Sequence, residues 1–153
     1  MTTITIDTSG VLSAPPSVVW KLLIDWEKQG DWMLEATDFV VLTSQREGVG
    51  VEAEATVSIG GLTTRDRVRV SAWEPERRLE IVHDGWVSGR GEFQLTPRGD
   101  VTHVLWREEL HPPLGAIGAL GLLAFRPLMA RIFARDLRIL QSLCRVAAGG
   151  VTP

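Results

Sequence analysis

The chain has 153 residues, a net charge of −3 and a pI near 5.6. That length suits one domain with a sizeable core. The acidic balance withholds the basic face that nucleic-acid binding requires, so no nucleic-acid partner is expected. A single cysteine, Cys144, excludes an intrachain disulfide and fits a reducing cytoplasm, which is the expected location.

The first ten residues, MTTITIDTSG, have neither the basic start nor the apolar run of a signal peptide. Residues 3–12 alternate apolar and polar, which predicts a strand. Ser13 and two prolines then suit a helix start, and Val18, Val19, Leu22, Leu23 and Trp26 recur at helical spacing. A second short helix is predicted over 28–34, with Gly30 at the break between the two. From there the period becomes two. A hairpin is expected around 47–50, with Val51, Ala53, Ala55, Val57 and Ile59 on one face and Glu52, Glu54, Thr56 and Ser58 on the other. Gly60 and Gly61 mark a turn. In the next strand Arg65, Arg67, Arg69 and Ser71 alternate with Asp66, Val68, Val70 and Ala72. LEIVHDGWV, GRGEFQLTPRG and VTHVLWREEL supply three more strands, and a long helix ends the chain. Without a βαβ alternation the strands should form one antiparallel sheet, an α+β architecture.

Side-chain parity gives the expected interior. Val104, Trp106, Glu108 and Leu110 share the more apolar face of the last strand, which aims Glu108 inward. Phe93 with Leu95, Leu79 with Ile81 and Val68 with Val70 follow the same logic, and His83 has the parity of Leu79 and Ile81. On the terminal helix Arg131, Arg135, Arg138, Ser142 and Arg145 gather on one side, opposite Phe125, Met129, Ile132, Leu140 and Leu143. Asp136 falls within that apolar face, where an unpaired carboxylate is costly. Glu108, His83 and Asp136 are therefore the candidate acid–base groups. Each also has a structural reading. Glu108 pairs with a neighbouring arginine, Asp136 is satisfied by an arginine or by backbone amides, and His83 is a rim histidine. Arg65, Arg67 and Arg69 read as a solvated face paired with Glu52 and Glu54. His83, His103 and His111 have no metal spacing, and no nucleotide or hydrolase motif is present, so neither metal nor cofactor is expected.

Residues 114–125 carry no charge, but Arg126 and Pro127 end the run well short of the roughly 20 residues of a membrane span. No stable span is expected. Three readings stand for this segment: a pliable cover over a cavity mouth, ordinary core, or an exposed patch for a membrane surface or second subunit. Pro127 should kink or divide the helix.

The stretches APPSVVWKLLIDWEKQGDW, VSAWEPERRL with GRGEFQLTPRGDVTHVLWREEL, and RIFARDLRILQSLC resemble the START-like helix-grip (SRPBCC) superfamily of polyketide cyclases, lipid-transfer proteins and pollen-allergen-like proteins. The likeness is greatest to the polyketide cyclase/dehydrase and lipid-transport branch of small bacterial members. It implies a helix-grip domain over 1–148, with a disordered tail at 149–153, and an apolar pocket between sheet and helix that opens near the helix's N-terminal half. The expected function is binding of a hydrophobic small molecule such as a lipid or polyketide, by a monomer or homodimer. Val68, Val70, His83, Phe93, Trp106 and Glu108 would face it from the sheet. Ile117, Gly121, Phe125 and Met129 would face it from the helix, with Trp32 and Met33 closing one end. The alternatives are a cyclase or dehydratase using Glu108 and His83, or a co-chaperone-like interaction module.

Overall fold

The computed structural model describes residues 2–149. Strand β1 (Ile4–Leu12) is followed by helix α1 (Pro16–Leu23) and a 3₁₀ helix over Trp26–Asp31. Six strands come next: β2 (Ala36–Val41), β3 (Glu52–Ile59), β4 (Leu62–Glu74), β5 (Arg78–Asp84), β6 (Ser88–Arg98) and β7 (Val101–His111). Helix α2 (Gly115–Gly149) ends the described chain. All seven strands lie in one antiparallel sheet, ordered β1-β7-β6-β5-β4-β3-β2. Sequence neighbours pair throughout β2 to β7, and β1 closes against β7, so the helices can only cover one face.

Local chemistry sets the helix ends. Pro15 is extended and Pro16 opens α1, where a missing N–H costs nothing. At the far end the buried Gln29 side chain donates to the Leu23 carbonyl at 2.6 Å, one of the acceptors a helix terminus leaves free. That bond holds the segment in a tight 3₁₀ turn. The expected α-helix over 28–34 is therefore a 3₁₀ helix two residues earlier, with Gly30 inside it.

Helix α2 runs unbroken through Pro127 rather than dividing there. Its second half is seated on the core: Met129, Phe133, Leu137, Leu140 and Cys144 are buried against Leu12, Val19, Leu23 and Leu79. Burial pushes the Cys144 thiol up to about 11, which suits an inert packing residue. By length and composition alone α2 could cross a membrane, but here it is the helix that the sheet grips. The convex face of the sheet is charged. Arg65 bonds Glu54, Arg67 bonds Glu52, and Arg107 grips both oxygens of Asp7 at 2.7 and 2.8 Å. The partners of Arg65 and Arg67 sit one step diagonal from their direct cross-strand neighbours, Thr56 and Glu54. The tail expected at 149–153 lies outside the described residues, apart from Gly149 at the end of α2.

Candidate functional site

Three charged side chains meet on the concave face near one end of the sheet. Glu108 on β7 stands opposite Gly91 on β6, and His83 on β5 stands opposite Val68 on β4. Asp66 lies two residues before Val68 on the same face of β4. His83 Nδ1 is 2.8 Å from Asp66 Oδ2, and its Nε2 is 3.4 Å from Glu108 Oε2. The Trp106 indole N–H donates to Glu108 Oε1 at 2.7 Å. Gly91 makes this possible. A Cβ there would lie 2.5 Å from Glu108 Oε1, so the carboxyl group occupies the space of an absent side chain.

An acid at each ring nitrogen, one hydrogen-bonded and one at ion-pair distance, favours the imidazolium form of His83. Burial opposes that charge, but the hydrogen bonds and fields of Asp66 and Glu108 outweigh it and raise the pKa to about 10. Glu108 is buried, while the Asp66 and His83 side chains keep about a fifth of their surface, 17% and 22%. The group thus lies at the rim of the interior.

Deeper in, aromatic rings fill the space between sheet and helix. Trp106 lies 5.1 Å from Phe93, 4.7 Å from Phe133 and 5.9 Å from Trp32, centroid to centroid. Trp32 is buried to 1% exposure, yet its indole N–H has no protein acceptor. Val68, Val70 and Met129 are also buried, and Met33 is half-buried against the core cluster.

The helix divides the remaining expected residues. Ile117 is 78% exposed, Gly121 faces open space, and Phe125 rests partly exposed against the Gly60 turn. The inward side chains of this half are Ala119 and Leu122. The cause is helical phase. Stepping back from Met129 in fours over-rotates by about 40° each time, so Ile117 ends about 120° away, whereas Leu122 stays within about 20°.

Asp136 belongs to a second group. It is fully buried, and Arg135 bonds it at 2.7 Å while reaching Glu35 at 3.1 Å. Burial, followed by the neighbouring Asp136 carboxyl, holds the Glu35 carboxyl well above the usual range. Arg135 is thus shared between the two acids, and the buried Asp136 Oδ2 has no hydrogen-bond partner.

Asp66, Phe133, Leu122 and Glu35 were not singled out from sequence. Asp66 shares the parity of Val68 and Val70, and that was its signal. Among the described residues no three His, Cys, Asp or Glu side chains are placed to hold a metal ion. A groove of about 210 Å³ lies elsewhere, between β1 and α2 at Gly10, Leu12, Leu137 and Arg138. It lacks titratable groups other than Arg138.

Known proteins share this architecture. A protein from Thermus thermophilus, TTHA0849, superposes with a TM-score of 0.80 at 20% identity, covering 94% of this chain and 99% of that one. The Zhui aromatase/cyclase from Streptomyces sp. R1128 superposes with a TM-score of 0.81 at 16% identity, covering 99% and 100%. A START superfamily protein from Mycobacterium smegmatis gives 0.71 at 15% identity, covering 97% and 99%. These likenesses show the helix-grip fold. Comparison with curated protein sequences finds no match. The family model described as "Polyketide cyclase / dehydrase and lipid transport" matches residues 3–145. With nearly the whole chain matched, the protein belongs to the polyketide cyclase/dehydrase and lipid transport family.

Proposed function

We propose that the protein binds a hydrophobic small molecule, an aromatic or polyketide-like compound or a lipid, between the concave sheet and the N-terminal half of α2, and that it does so from the cytoplasm. The observation carrying this reading is the pairing of an aromatic interior, Trp32, Phe93, Trp106 and Phe133, with one polar group at its rim, Asp66–His83–Glu108. Apolar walls with a few converging polar atoms are the usual make-up of a small-molecule site. Burial of the ligand's apolar surface would supply the affinity, at about 25 cal/mol per Å², and the polar group its orientation.

The family's cyclase chemistry supplies the second reading, favoured by a histidine beside a carboxylate in an apolar setting. Physical chemistry weighs against it. A general acid or base works best with a pKa near the working pH, whereas His83, clamped by two carboxylates, holds its proton up to about 10. It is built to stay charged.

Native mass spectrometry of freshly purified protein, with organic extraction of whatever co-purifies, tests the proposal. A bound mass of a few hundred daltons that is lost in Trp106→Ala supports it. Protein that is empty and takes up no polyaromatic probe refutes it. Turnover of a polyketide-like substrate that disappears in Glu108→Gln with affinity retained would install the enzyme reading instead.

A further inference from the structure

Resting on that binding reading, a count of donors and acceptors at the rim says what kind of polar end the ligand carries. Every donor in the group is turned toward a carboxylate, two of them in hydrogen bonds and His83 Nε2 at an ion-pair distance of 3.4 Å. The Trp106 indole N–H and His83 Nε2–H face Glu108, and His83 Nδ1–H faces Asp66. Each carboxylate oxygen accepts about two hydrogen bonds, so what remains is acceptor capacity alone. Asp66 Oδ1, covered where the β5–β6 turn passes at Gly85, has no donor at all. Two carboxylates around one imidazolium also leave the group one negative charge in excess.

Among the described residues no arginine or lysine corrects that excess. Arg65 and Arg67 point to the convex face and bond Glu54 and Glu52. Arg126, on the exposed half of α2, reaches the Thr5 carbonyl. Arg135 is spent on Glu35 and Asp136.

We infer that the ligand presents a hydrogen-bond donor, a hydroxyl or amine on an aromatic or alicyclic body, and that the site rejects carboxylates and phosphates. A carboxylate at the rim would meet like charge and no free donor of the Asp66–His83–Glu108 group, since the unpaired Trp32 indole N–H lies deeper, among the aromatic rings. The inference separates hydroxylated aromatics, which fit, from fatty acids and phospholipids, which do not.

The test is a fluorescence titration with two probes that share a ring system, 9-anthracenemethanol and anthracene-9-carboxylate, at pH 7. The expected result is that the alcohol binds at least about tenfold more tightly, which corresponds to about 1.4 kcal/mol. In Glu108→Gln, which removes a charge and adds an amide donor, the carboxylate should gain and the gap should shrink. Asp66→Asn, checked for native circular dichroism, should do the same. A carboxylate that binds wild-type protein as tightly as the alcohol overturns this inference while leaving the binding reading intact. Failure of both probes to bind overturns the binding reading beneath it.

Discussion

The two halves of α2 have much the same apolar content and opposite fates. From Met129 onward the helix lays a seam, Met129, Phe133, Leu137, Leu140 and Cys144, into the core. Before it, Leu114, Ile117, Leu120 and Leu123 are 50% to 78% exposed. Composition does not separate them; pattern does. The second half alternates its apolar seam with Arg131, Arg138 and Arg145, so only one rotation about the helix axis suits it. The first half is apolar all round, and the sheet covers only one side of it, at Ala119 and Leu122. An apolar stretch without a polar face does not say which side is to be buried. The consequence is a closed end of the grip that is packed into the core and an open end whose apolar side chains stay exposed.

The sharpest test of this division is to truncate one leucine or isoleucine in each half. Leu140 is wholly buried, so Leu140→Ala should cost about 2–5 kcal/mol. Ile117→Ala, at the exposed end, should stay within about 0.5 kcal/mol. Urea unfolding of the two variants measures both. Similar losses would mean that the open half is packed in solution and would remove the distinction.

At the open end, Gly91→Val places a Cβ where the Glu108 carboxyl group now lies, 2.5 Å from Oε1. Overpacking of this kind costs about 1–3 kcal/mol. It should also swing Glu108 away from His83, so the His83 pKa should fall from about 10. Titration of the histidine ring signals by NMR reads that fall. An unmoved titration would mean that Asp66 alone holds the imidazolium.

The polar groups at the two ends should mark different pH windows. At the closed end, folded Glu35 keeps its proton to about 8, against 4.5 for the ordinary group. The folded state therefore binds more protons in that interval. Stability from this group is complete below about 4.5 and is lost as pH rises to about 8. At the open end, folded His83 holds its proton to about 10 against 6.5, so its contribution is complete below about 6.5 and is lost as pH rises to about 10. Calorimetric Tm against pH should accordingly flatten between 4.5 and 8 in Glu35→Gln, and between 6.5 and 10 in His83→Gln. One shared window would show that the ends are coupled.

How much of this was legible in the sequence differs along the same line. Strand parity carries across the sheet because a period of two does not drift, and the α+β helix-grip architecture follows from element order and that alternation. Phe93, Trp106 and Glu108 turn to the buried face on those grounds. Asp66 has the right parity as well, but among Arg65, Arg67 and Arg69 it reads as one more surface charge. What recruits it is the register that sets Val68 against His83, a long-range fact absent from local pattern. Glu35 sits in a connection with no period at all, so nothing local marks it as the partner of Arg135, one hundred residues away. In α2 the error has a different source. Spacing by fours accumulates rotation, and it carries Ile117 and Gly121 out to solvent while Leu122 turns inward.

The glycines of the open half supply effects of opposite sign. A Cβ on Gly118 would fall 1.5 Å from the Pro113 carbonyl oxygen, within the turn where Leu114 and Gly115 have φ of 63° and 58°. That glycine lets the chain fold back from β7 into α2, and Gly118→Ala must push the turn open. Gly121, three residues on, meets nothing within 4 Å. There a methyl group adds no clash and restricts the unfolded chain, so Gly121→Ala should stabilise by about 0.5–1 kcal/mol. If the open half is held as drawn, thermal melts of the pair should move apart, Gly121→Ala upward and Gly118→Ala downward. If the segment is already frayed, neither substitution has a fixed backbone to act on and both melts should stay where the wild type melts. The sign and size of that split measure how firmly the first turns of α2 are formed over the interior, which no truncation of an exposed side chain can report.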